Sequence, residues 1–144
     1  MSTMLVIAIV GLIIAFIVLV VIVRMLIRSS RTTEIPGTSR KELEMKWMQI
    51  EQLAMRGDEM SGKLALMEAD KFLDHALKML MFSGDTMGER MKVAAYKFPK
   101  VKDAWPAHIL RNKMVHETGF NLRPDSARHA IGQFKAALKQ MNVL

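Results

Sequence analysis

The chain has 144 residues, 51% hydrophobic and 24% charged, with a formal net charge of +7 and no cysteine. Residues 1–28 hold 23 hydrophobic residues and only two charges, Arg24 and Arg28, whereas the remaining 116 residues are 43% hydrophobic and 28% charged. These figures exclude a multi-span membrane protein, a disordered tail and a disulfide-stapled mini-protein. They also exclude thiol catalysis and cysteine-held zinc or clusters.

Residues 4–23 carry no charge, and Gly11 is the only one outside the hydrophobic set. Twenty residues at a 1.5 Å rise give about 30 Å, the thickness of a bilayer core, so the expectation is an uncleaved transmembrane helix in an anchor of residues 1–28. No basic segment precedes the apolar run and no small-residue cleavage site follows it, which argues against a signal peptide. Arg24, Arg28, Arg31, Arg40 and Lys41 follow the span against one acid, Glu34. The positive-inside rule then predicts an inner (plasma) membrane protein, N-terminus outside and C-terminal domain cytoplasmic.

Residues 29–38 (SSRTTEIPGT) read as a linker, rich in Ser, Thr, Pro and Gly and without an apolar period. Ser39-Arg40-Lys41-Glu42 matches a capping box, so a first helix starts there, with Leu43, Trp47, Ile50 and Ala54 on its apolar face. Gly57-Asp58 ends it. A second helix is expected over residues 61–82, striped by Leu66, Ala69, Leu73, Ala76 and Leu80 and capped near Gly84. A third covers 87–98 and stops at Pro99; a fourth covers 101–117, with Pro106 in its first turn. A fifth covers 124–142, striped by Ala127, Ile131, Phe134, Leu138 and Met141. No window alternates with period two, so the fold class is all-α, a bundle of four to five helices over residues 39–144. The 14 methionines read as adaptable core filling.

The fourth helix stands out. Ala104, Trp105, Ala107, Ile109, Leu110, Met114 and Val115 surround its axis, which predicts burial on more than one side. Yet His108, Asn112 and His116 recur at i, i+4, i+8 as one polar stripe, flanked by Arg111. Groups of this kind need a polar partner, a ligand or a subunit interface.

Arg111-Asn112-Lys113-Met114-Val115-His116 matches R-N-x-x-x-H and resembles the signature of HEPN domains. Trp105, Ala107 and His108 before it and Glu117 after it fit the pattern, as do the stretches Glu68–Lys71 and Thr86–Arg90. The resemblance covers about residues 40–144. It implies a helical bundle that forms a homodimer through the motif helix, and in catalytic members a metal-independent RNA endonuclease whose site two protomers share. On that reading Arg111, Asn112 and His116 are catalytic: His116 as the base that takes the ribose 2′-hydroxyl proton, Arg111 as the cation for the growing phosphate charge, Asn112 as the group that orients them. His108, Glu117, Asp70 and Asp74 are the supporting residues. Arg111 and His116 lie about 140° apart around an ideal helix, so convergence requires a two-fold dimer. The departure is Thr118, where the toxins of the family carry Tyr.

Short of cleavage the same residues serve a nucleotide- or RNA-binding effector; the alternative is a non-catalytic, membrane-tethered dimerisation or adaptor module, in which Arg111 pairs with Glu68, Asp70 or Asp74. Glu68, Asp70 and Asp74 alternate with Lys71, His75 and Lys78 and read as a salt-bridged, solvated face. Arg90, Lys92, Lys97, Lys100 and Lys102 form a basic run that suits an RNA backbone, with a plain solvated face as the alternative; the partners expected of the protein are RNA or a nucleotide. No cofactor and no metal is expected: His116-Glu117 continues as Thr118-Gly119-Phe120, not as a zinc motif, and no phosphate loop occurs.

Overall fold

The structure, a computed structural model, describes the backbone of residues 2–30 and 38–144 and the side chains of residues 9–24 and 38–144. The described residues form seven helices and no strand, so the chain is all-α. It divides into two compact units, Met1–Thr32 and Thr33–Leu144.

The first unit holds α1 (Ser2–Ser30), whose large apolar side chains from Ile9 to Val23 are exposed apart from the half-buried Val20. Among the described residues no helix is long and apolar enough to cross a membrane. This overturns the expected single-pass placement through residues 4–23 and the topology drawn from it. Side chains 4–8 and 25–28, parts of the expected anchor, lie outside the described residues. So does most of the expected linker, residues 31–37; Ser29 and Ser30 belong to α1.

The second unit is the helical bundle. Its first helix, α2 (Arg40–Met55), starts where the sequence places it: Ser39 Oγ accepts from the Glu42 amide, and the Glu42 carboxylate accepts from the Ser39 amide at 3.0 Å. Leu43, Trp47, Ile50 and Ala54 are its buried residues. The central helix, α3 (Glu59–Met79), is capped by Asp58, whose carboxylate takes the Ser61 amide at 2.8 Å. It touches α2, α4, α6 and α7. Gly62, Ala65, Leu66, Ala69, Asp70, Leu73, Ala76 and Leu77 are buried, a face wider than one stripe, as a helix packed on several sides requires.

The turn after α3 differs from expectation. The left-handed cap falls on Met81 (φ 61°), with the Phe82 amide bonded back to the Leu77 carbonyl. Gly84 (φ 146°) serves the next helix instead: a Cβ there would meet Glu89 Cβ at 2.7 Å and the Arg90 amide nitrogen at 2.8 Å. That helix, α4 (Met87–Lys97), opens with a second capping box, Thr86 with Glu89. The Glu89 carboxyl is held below its ordinary pKa by the amides of Asp85 and Thr86.

The expected fourth helix is two. A short α5 (Pro99–Asp103) ends at Ala104, and α6 (Trp105–His116) begins afresh. Pro106 is the cause, because it has no amide hydrogen to give the preceding turn and its ring crowds the carbonyl four residues back. The bundle closes with α7 (Pro124–Gln140), against α2, α3, α5 and α6, and Ala127, Ile131, Phe134, Leu138 and Met141 are all buried. Methionine divides between inside and outside. Met91 and Met141 fill the core, but Met45, Met48, Met55, Met60 and Met81 are exposed, so core filling accounts for only part of it.

Candidate functional site

The motif helix is not enclosed as its composition predicts. Ala107 is its one buried residue; Leu110 and Met114 are partly buried, and Ile109 (41%) and Val115 (51%) face outward. Apolar residues surround the axis, but neighbours cover one side only. On that side Arg111 and His108 meet Asp70 of α3, and Asn112 bridges the two.

These four side chains form a closed ring. His108 Nδ1 lies 2.7 Å from Asp70 Oδ1, and His108 Nε2 lies 3.2 Å from Asn112 Nδ2. Arg111 Nη1 donates to Asn112 Oδ1 at 3.0 Å, and Arg111 Nε lies 3.1 Å from Asp70 Oδ2. This last contact is an ion pair whose N–H is not directed well enough to make a hydrogen bond. The orientation of the ring follows from its donors. Guanidinium can only donate, so Asn112 Oδ1 faces Arg111 and its amide nitrogen faces His108. Nε2 is then the acceptor, and Nδ1–H donates to Asp70. Asp70 is 2% exposed, and its carboxylate is compensated by one guanidinium and one imidazole. Helix spacing makes the ring possible: His108, Arg111 and Asn112 stand at i, i+3 and i+4, neighbours on one face.

His116 does not join the ring. It is the last residue of α6, exposed, about 7.5 Å further along the axis than Arg111 at 1.5 Å per residue. Glu117 is likewise exposed at the helix end, where its amide caps onto the Lys113 carbonyl. Of the three residues assigned a catalytic role, the fold therefore brings Arg111 and Asn112 together and leaves His116 apart. Of the supporting residues, Asp70 and His108 are in the ring and Asp74 is not. Glu68 pairs with Lys71 at 3.0 Å, as a solvated face requires, but Asp70 leaves that face for the core.

Asp74 serves a different junction. It accepts from Arg90 Nε at 3.0 Å and Nη2 at 2.6 Å, and pairs with Lys78 Nζ at 2.6 Å. Arg90 Nη1 donates to the Gly84 carbonyl at 2.6 Å. Burial pushes the Asp74 carboxyl up, but the hydrogen bonds and charges of Lys78 and Arg90 together outweigh it and hold the group below its ordinary pKa. Arg90 is 6% exposed, so its place in an RNA-binding run is corrected: its donors are spent on joining α4 to α3.

The remaining basic residues are exposed. Lys100 pairs with Asp103 at 3.0 Å, and Lys97 Nζ lies 5.3 Å from the Phe98 ring centroid. Lys92 and Lys102 line a groove of about 750 Å³ that the sequence did not announce, together with Met91, Ala95, Tyr96 and Trp105. Among the described residues no cluster of three or more His, Asp or Glu is arranged to hold a metal ion. No family model matches the chain, and no curated protein or solved structure matches it significantly.

Proposed function

We propose that residues 39–144 form a HEPN-like, non-catalytic assembly module that pairs as a homodimer through α6. The observation that carries this reading is the closed ring. Arg111 and Asn112 are occupied by Asp70 and His108 of their own protomer, so the cation that cleavage needs is already engaged. A cation for phosphate has to be free to meet the reacting group, and here Arg111 and His108 instead join α6 to α3 through Asp70. Thr118 in place of Tyr supports the same reading. The outward side chains of α6, Ile109 and Val115, are aliphatic groups left in water and suit a self-complementary two-fold contact.

The test is the solution mass of the full chain by light scattering. The expected result is a dimer that Ile109→Asp combined with Val115→Asp converts to monomer with helical circular dichroism unchanged. A monomeric wild type, or a dimer indifferent to both substitutions, sinks the proposal.

A further inference from the structure

The groove bordered by α4, α5 and α6 has the wrong chemistry for a surface left to water. Tyr96 on α4 is 93% exposed, so its ring contributes almost nothing to the core. Trp105 is held in place: a Cβ on Gly88 would stand 3.3 Å from its Cη2, and its ring centroid lies 6.0 Å from that of His108. Gly88 thus leaves room for the indole against α4, and the ring still borders the groove. Lys92 Nζ lies 5.9 Å from the Trp105 centroid, and Lys102 lines the same space. No acid is among the lining residues; Asp103 nearby is paired with Lys100, and Glu89 caps the start of α4.

Two aromatic rings and two ammonium groups, Lys102 and a Lys92 that also acts on the Glu89 carboxylate, around about 750 Å³ match a ligand that is aromatic at one end and anionic at the other. We propose that this groove binds a nucleotide unit, its base stacked on Tyr96 and Trp105 and its phosphate held by Lys92 and Lys102. Stacking accepts any base because each has a π-face, and ammonium groups track phosphate without reading sequence. The unit belongs either to a free nucleotide or to a single RNA strand. The site goes beyond the assembly role of α6 and stands or falls separately from it, because dimer mass and nucleotide binding are independent readouts.

The experiment uses the full chain with two probes: AMP, followed by tryptophan fluorescence, and a short labelled oligoadenylate, followed by anisotropy. Saturable binding is expected. Tyr96→Ala weakens it roughly 5- to 150-fold, the range that loss of one stacked base gives. Lys92→Ala with Lys102→Ala lowers the slope of log affinity against log salt for the oligonucleotide by about 1.4, two phosphate contacts' worth. Lys46→Ala, an exposed lysine on α2, leaves both unchanged. Oligoadenylate binding tighter than AMP identifies a strand, and equal affinities identify the free nucleotide; both support the site. No saturable binding of either probe by the wild type overturns the proposal. So does wild-type affinity in both the Tyr96 variant and the double lysine variant, checked for unchanged circular dichroism.

Discussion

Asp70 and His116 make a paired test of the polar ring. A buried carboxylate is tolerable only when its charge is answered, and removing one partner of a buried pair leaves the other uncompensated. Asp70→Ala is therefore expected to cost about 3–5 kcal/mol in urea unfolding. His116→Ala, at an exposed helix end, is expected to stay within about 0.5 kcal/mol. Asp74 gives the pH dependence. Its folded pKa is lowered, so its contribution is present above the unfolded value of about 3.9 and is lost as pH falls through the folded one. The stability gap between wild type and Asp74→Asn, measured by urea unfolding, should be full at pH 7 and close progressively below about pH 4. The burial of Asp70 was legible in part: it stands four residues after Leu66 and three before Leu73, on the apolar side of α3. Reading it instead with Lys71 and His75 placed it in solvent. Periodicity, not neighbouring charge, decides which face a residue shares.

Elements were legible wherever an apolar stripe and a cap coincided. Leu43, Trp47, Ile50 and Ala54 of α2, the four stripe residues of α7 and Met141 at its C-terminal cap are buried as their spacing predicts. Misreadings fall where one residue serves two structures. Pro106 fits a first turn, but that turn belongs to a new helix, so α5 and α6 are separate. Gly84 fits a helix end, yet α3 closes on Met81, and Gly84 gives Arg90 a carbonyl and Glu89 the space for its side chain. Gly84→Ala is expected to destabilise the bundle by more than about 1 kcal/mol, since it adds a Cβ at a positive φ against backbone. Thermal unfolding checks this; an unchanged midpoint would contradict the placement of that turn. The enclosure predicted for α6 failed for another reason. Composition counts apolar residues around an axis but does not say how many neighbours come to cover them.

At the scale of the whole molecule, the all-α class was written in the sequence, because no segment carries a period of two. The N-terminal segment was misjudged by hydropathy alone: no described helix is long and apolar enough to cross a membrane. The groove beside Trp105 was illegible because Lys92, Tyr96, Lys102 and Trp105 come from three helices whose packing no local pattern encodes. The motif was legible as a motif, whereas its use depends on Asp70, 38 residues from His108 in the chain. On the proposed reading Arg111 and Asn112 tie α6 to α3, and the motif, His116 included, does not cleave RNA. Incubation of the full chain with labelled RNA in EDTA tests it most directly. The expected result is no cleavage by the wild type above that of the Arg111→Ala and His116→Ala variants. Metal-independent cleavage by the wild type, lost in both variants while the dimer persists, would contradict it.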